Sequence, residues 1–118
     1  MKIVDIVRIL NAENITGAYG KDAEISSAFG ADLMSDVLAF VKPDSLILTG
    51  MVNSHVLRTA EMLEVRFIMF VRGKIPDEEL IDMAKELDIV LFRTEYTMFD
   101  ACGLLYREGL RGCTRNEP

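Results

Sequence analysis

Three short apolar runs decide the fold: Ser45-Leu-Ile-Leu-Thr49, Val65-Arg-Phe-Ile-Met-Phe-Val71 and Asp88-Ile-Val-Leu-Phe-Arg93. Each is strand-sized and almost continuously apolar, the pattern of a strand covered on both faces. Two stretches of helical period lie between them. Asn53 or Ser54 can cap the first, with Val56, Leu57, Ala60 and Leu63 along one face. Pro76-Asp-Glu-Glu79 opens the second with a fixed φ and negative charge, and Leu80, Ile81, Ala84 and Leu87 form its buried face. Strand, helix, strand, helix, strand predicts an α/β domain of three layers, α/β/α, around a mainly parallel central sheet.

Outward from this centre, Lys2 to Leu10 carries Ile3, Ile6, Val7 and Leu10 at helical spacing. Asn11 to Asp22, rich in Asn, Gly and Asp, reads as a connection with at most a short strand. Glu24 to Ala31 alternates as a strand does, Asp32 is placed to cap a helix over Leu33 to Val41, and Lys42-Pro43 ends it. Beyond the third run, Thr97-Met-Phe-Asp100 resembles a capping box opening a last helix, with Ala101, Cys102 and Leu105 facing inward and Gly109 stopping it. The expected organisation is a single domain over residues 1–109 followed by a loosely held tail over 110–118.

Composition narrows the function classes. The 118 residues are 50% apolar, enough for one packed core. Nineteen acids against thirteen basic residues give a net charge of −6, which opposes attraction to phosphate backbones, so no nucleic-acid partner is expected. No apolar run reaches membrane-span length and the N-terminus lacks a signal-peptide core, so the expectation is a cytoplasmic protein without membrane contact. Two cysteines and one histidine fit no zinc spacing; neither a metal nor a cofactor is expected. Cys102 reads as a small buried helix residue and Cys113 as an exposed tail residue.

Parallel strands would end on one edge of the sheet, where ligands of such sheets bind. Just beyond the three runs stand Thr49, Gly50, Asn53, Ser54 and His55, then Arg72 and Lys74, then Arg93 and Thr94. Cations, a histidine and helix first turns in one place suit an anionic small metabolite. The same cations also read as loop charges paired with Glu95 or with Asp77 to Glu79, and Asn53 and Ser54 as plain caps. No phosphate-binding Gly-Lys-Ser/Thr loop, Gly-x-Gly-x-x-Gly turn or Gly-x-Ser-x-Gly elbow is present, and no catalytic residue is assigned.

Asp22 to Ala39, Thr49, His55, Val71 to Glu79 and Thr94 to Phe99 together resemble the DRTGG-domain family. Such domains are similar to the N-terminal domain of HPr kinase/phosphorylase, with a fold of the MurF and HPr-kinase N-domain kind, and accompany regulatory CBS modules in adenine-nucleotide-controlled pyrophosphatases. The resemblance implies a regulatory, non-catalytic homodimer that docks on a partner enzyme or senses a metabolite such as an adenine nucleotide. It assigns Asp22, Asp32, Leu33, Ser35 and Asp36 to the family motif. Ala23 replaces the motif's Arg, and Ser26-Ser27-Ala28 replaces Thr-Gly-Gly, removing backbone freedom there.

Overall fold

The computed structural model describes residues Met1–Thr114. The elements in order are α1 (Ile3–Ile9), β1 (Glu13–Asn14), β2 (Ser27–Gly30), α2 (Met34–Phe40), β3 (Ser45–Thr49), α3 (Ser54–Met62), β4 (Phe67–Phe70), α4 (Glu78–Glu86), β5 (Val90–Arg93), α5 (Met98–Arg107) and β6 (Arg111–Gly112). They form one sheet of order β1-β5-β4-β3-β2-β6, parallel throughout except for β1, which runs antiparallel to β5. The three-layer α/β/α fold with a mainly parallel sheet is the one the three apolar runs predict.

The layers follow from the period-two alternation of strands that are apolar on both faces. Leu46 and Leu48 of β3, Phe67 and Met69 of β4, and Val90 and Phe92 of β5 pack under α1 and α5. Ile47, Ile68, Phe70 and Leu91 point the other way, under α2, α3 and α4. Register keeps like with like: Leu46 lies beside Phe67 and Phe67 beside Val90, so each face is a continuous apolar row.

Four helices end in the same way. The N–H two residues past the C-cap donates back to a last-turn carbonyl: Ala12 to Val7, Val65 to Ala60, Ile89 to Ala84 and Leu110 to Leu105. The residue between is left-handed in each case: Asn11, Glu64, Asp88 and Gly109. This is the Schellman arrangement, in which the following apolar residue folds back on the helix. It explains why β4 and β5 are shorter than their apolar runs. Val65 and Ile89 are buried, but they belong to helix exits rather than to strands.

Local expectations at the starts of α4 and α5 are corrected. Pro76 lies outside α4, since Asp77 is the N-cap and accepts from the Leu80 N–H at 2.9 Å. Thr97 occupies the N-cap of α5, but its side chain makes no capping bond.

The segment after Gly109 also differs from the expected tail. Leu110 is buried, Arg111–Gly112 pair with Ser27–Ala28 as β6, and the Cys113 thiol is buried beside the Ser27 hydroxyl at 3.4 Å. The side of β2 away from β3 has backbone groups to be paired, and β6 takes that place at the sheet edge as the chain leaves α5. The remaining expectation, for residues 115–118, lies outside the described residues. Leu110→Ala should therefore cost about 2–3 kcal/mol in urea unfolding, as for a buried leucine. A loss below about 0.5 kcal/mol, usual for surface positions, would return the segment to a loose tail.

Candidate functional site

Strands β2 to β5 are parallel, so their C-terminal ends share one edge, and the loops there are bonded to one another. At the end of β3, the fully buried Thr49 donates its Oγ1 proton to Asp32 Oδ1 at 3.0 Å, and the Gly50 N–H donates to the same oxygen at 2.8 Å. Thr49 Oγ1 in turn accepts from the Met51 N–H at 3.1 Å. Asp32 is therefore not the cap of α2. That place is taken by Leu33, in extended conformation and without a side-chain bond. The Ala31 N–H donates to the Leu48 carbonyl, which holds the chain beside β3 one residue longer and brings the Asp32 carboxylate to the strand end.

At the end of β4, Arg72 and Gly73 are both left-handed, with φ of 62° and 66°. Their N–H groups donate to the Tyr96 and Thr94 carbonyls, each at 2.8 Å, which ties this loop to the one after β5. The Arg72 guanidinium lies over Gly50, in the space a Cβ there would occupy. The Glu95 carboxylate covers Gly73 in the same manner. Such conformations at a non-glycine residue persist only where surrounding bonds hold them.

At the end of β5, Arg93 is spent on internal pairing. Its Nη1 meets Glu13 at 3.3 Å and its Nη2 meets Glu95 at 3.1 Å, while the buried Nε has no partner. Thr94 donates to the Leu10 carbonyl at 2.7 Å, which fastens the edge to the α1 layer. The pairing with Glu13 depends on β1, a two-residue strand with no periodicity to reveal it.

The edge thus brings together Thr49, Gly50 and Arg72, and beside them Arg93 and Thr94. Asn53 caps α3 by accepting from the Val56 N–H at 3.2 Å, while Ser54 and His55 are on its first turn, His55 exposed. Lys74 is exposed next to Gly73, and Ser35 and Asp36 are exposed on α2. Asp22 precedes β2, away from this edge, and pairs with Lys2 at 3.6 Å. Ser26-Ser27-Ala28 is no turn: it enters β2, and the Ser27 and Ser45 hydroxyls meet at 2.7 Å.

A cleft of about 570 Å³ at this edge lies between α3 and α4; it is lined by Asn53 and Ser54 of the expected site, by Asp77, Glu79, Asp82 and Glu86, and by Val52, Leu80 and Met83. Acidic walls there work against a phosphorylated ligand. Cys102 offers no activated thiol, because burial raises its pKa, the direction opposite to that of a nucleophilic cysteine. Among the described residues no group of three or more His, Cys, Asp or Glu side chains could hold a metal ion.

Removing the Asp32 carboxylate would strand the Gly50 N–H and the buried Thr49 hydroxyl. Asp32→Ala should therefore lower stability by about 1–3 kcal/mol, measured by chemical denaturation. An exposed, idle carboxylate would give no loss.

The comparisons with known proteins accord with this architecture. The model of the DRTGG domain matches residues 5–107. Among solved structures, the chain is similar to the CBS and DRTGG domains of the regulatory region of Clostridium perfringens pyrophosphatase, complexed with its activator diadenosine tetraphosphate. That likeness has a TM-score of 0.66 at 18% identity and covers 88% of this chain and 45% of the other. No curated protein sequence matches the chain. With most of its length matched by the family model, the chain belongs to the DRTGG domain family.

Proposed function

We propose that this chain is a non-catalytic regulatory module of the cytoplasm that acts as a homodimer and docks on a partner enzyme. The observation that carries this reading is the exposure of large apolar side chains on the laced strand-end loops and on the first turn of α5 that follows them. Phe99 is 86% exposed and Ile75 69%, with Met51 and Tyr96 beside the same loops. Exposed apolar side chains carried by braced loops, with charged residues beside them, suit a protein contact. The internal pairing of Arg93 and the bonding of Thr94 and Asp32 support it further, because those groups serve structure and are not free for catalysis.

A second reading is a sensor for an anionic metabolite such as an adenine nucleotide. It is favoured by Arg72 and Lys74, neither of which is in an ion pair among the described residues. The nucleotide activator of the pyrophosphatase relative points the same way.

Sedimentation at micromolar concentration should give a dimer, and Ile75→Ser with Phe99→Ser should give a folded monomer by circular dichroism; a monomeric parent protein would contradict the reading. For the sensor, adenine nucleotides including diadenosine tetraphosphate should raise the thermal midpoint by mass action, and Arg72→Ala should abolish the rise. No rise with any of them removes the second reading and leaves the first.

A further inference from the structure

The strand-end edge carries two features that complement each other in charge and apolar character yet form no ion pair within the single chain. One is the Arg72–Ile75 loop, which carries two cations and an exposed apolar side chain. The other is the cleft between α3 and α4, lined by the apolar Val52, Leu80 and Met83, by Asn53 and Ser54, and by the acids Asp77, Glu79, Asp82 and Glu86. None of these four acids is in an ion pair among the described residues, and neither is Arg72 or Lys74. Unpaired charge of opposite sign, on either side of an apolar contact, is the arrangement of an interface core with a polar rim.

The loop runs directly into the cleft, because Ile75 and Pro76 are followed by Asp77, the N-cap of α4. The two features therefore sit side by side on one surface. That is the requirement for a two-fold contact, in which a patch that meets its partner's neighbour is met by it in return. The αL backbone at Arg72 and Gly73, fixed by the Thr94 and Tyr96 carbonyls, presents the loop in one conformation and reduces the ordering cost of association.

We propose that two copies associate by reciprocal insertion, the Arg72–Ile75 loop of each seating Ile75 against the apolar side chains and Lys74 against the acids that line the other's α3–α4 cleft. This rests on the homodimer reading above and specifies the surface it uses. Because the attraction is between charges at a solvated rim, added salt weakens the dimer.

Lys74→Glu and Asp82→Lys test the pairing, since neither position is buried and neither caps a helix. Each variant alone places like charges opposite one another at both contacts and should raise the dimer dissociation constant by about tenfold or more in analytical ultracentrifugation. Mixing the two variants should restore association. In the mixed pair one contact joins the two substituted positions, with the charges exchanged, and the second contact joins the unchanged Lys74 and Asp82. A mixture no tighter than the separate variants overturns the inference. A wild-type dimer indifferent to both substitutions also overturns it while leaving the homodimer standing, and a wild-type monomer overturns both.

Discussion

The constraint on which the rest depends is that β3, β4 and β5 have no polar face. Leu46, Ile47 and Leu48 are buried together, as are Phe67 to Phe70 and Val90 to Phe92, so the sheet is stable only with helices on both sides. Two helices meet the demand on one face and three on the other. With both faces closed, polar side chains are confined to the strand ends and the helix surfaces. Any recognition by this chain is thereby directed to the rims of the sheet and the outer faces of its helices.

At the C-terminal rim the loops are braced before any partner arrives. Asp32 holds the turn after β3, Arg72 lies on Gly50, and Glu95 covers Gly73 while pairing with Arg93. Thr94 carries the bracing into the α1 layer. Arrays of this kind order a surface more than they stabilise a fold, because exposed ion pairs add little stability. A surface already ordered loses less entropy when it binds, which favours recognition through shape and charge.

Most of this is legible where a pattern has room to repeat. The bounds of β3 follow from the sequence alone, since polar residues flank a fully apolar run, and Asn53 caps α3 as its residue type suggests. The runs for β4 and β5 read too long because Val65 and Ile89 are apolar for a different reason: they fold back on the preceding helix. Strands β1 and β6 have two residues each, too short to show any period, and that hides both the Glu13–Arg93 pair and the burial of Cys113. Asp32 has the residue type and position of a cap, yet it bonds the end of β3 instead. A capping residue and a residue bonded to the neighbouring strand look alike until the backbone path is known. Among the candidate site residues, the cations are legible, and so is the pairing of Arg93 with Glu95, but its second partner, Glu13, is not. Pairing depends on which segments adjoin, and composition does not reveal that.

On the reading proposed above, the braced strand-end edge is an interface. Amide hydrogen exchange followed across a range of protein concentrations tests it most directly. Protection should rise with concentration in peptides spanning residues 72–86 and 94–100, while the opposite edge around Asp22 and Asp44 stays constant. Exchange independent of concentration at the strand ends, or protection confined to another surface, would mean that this edge is not the interface.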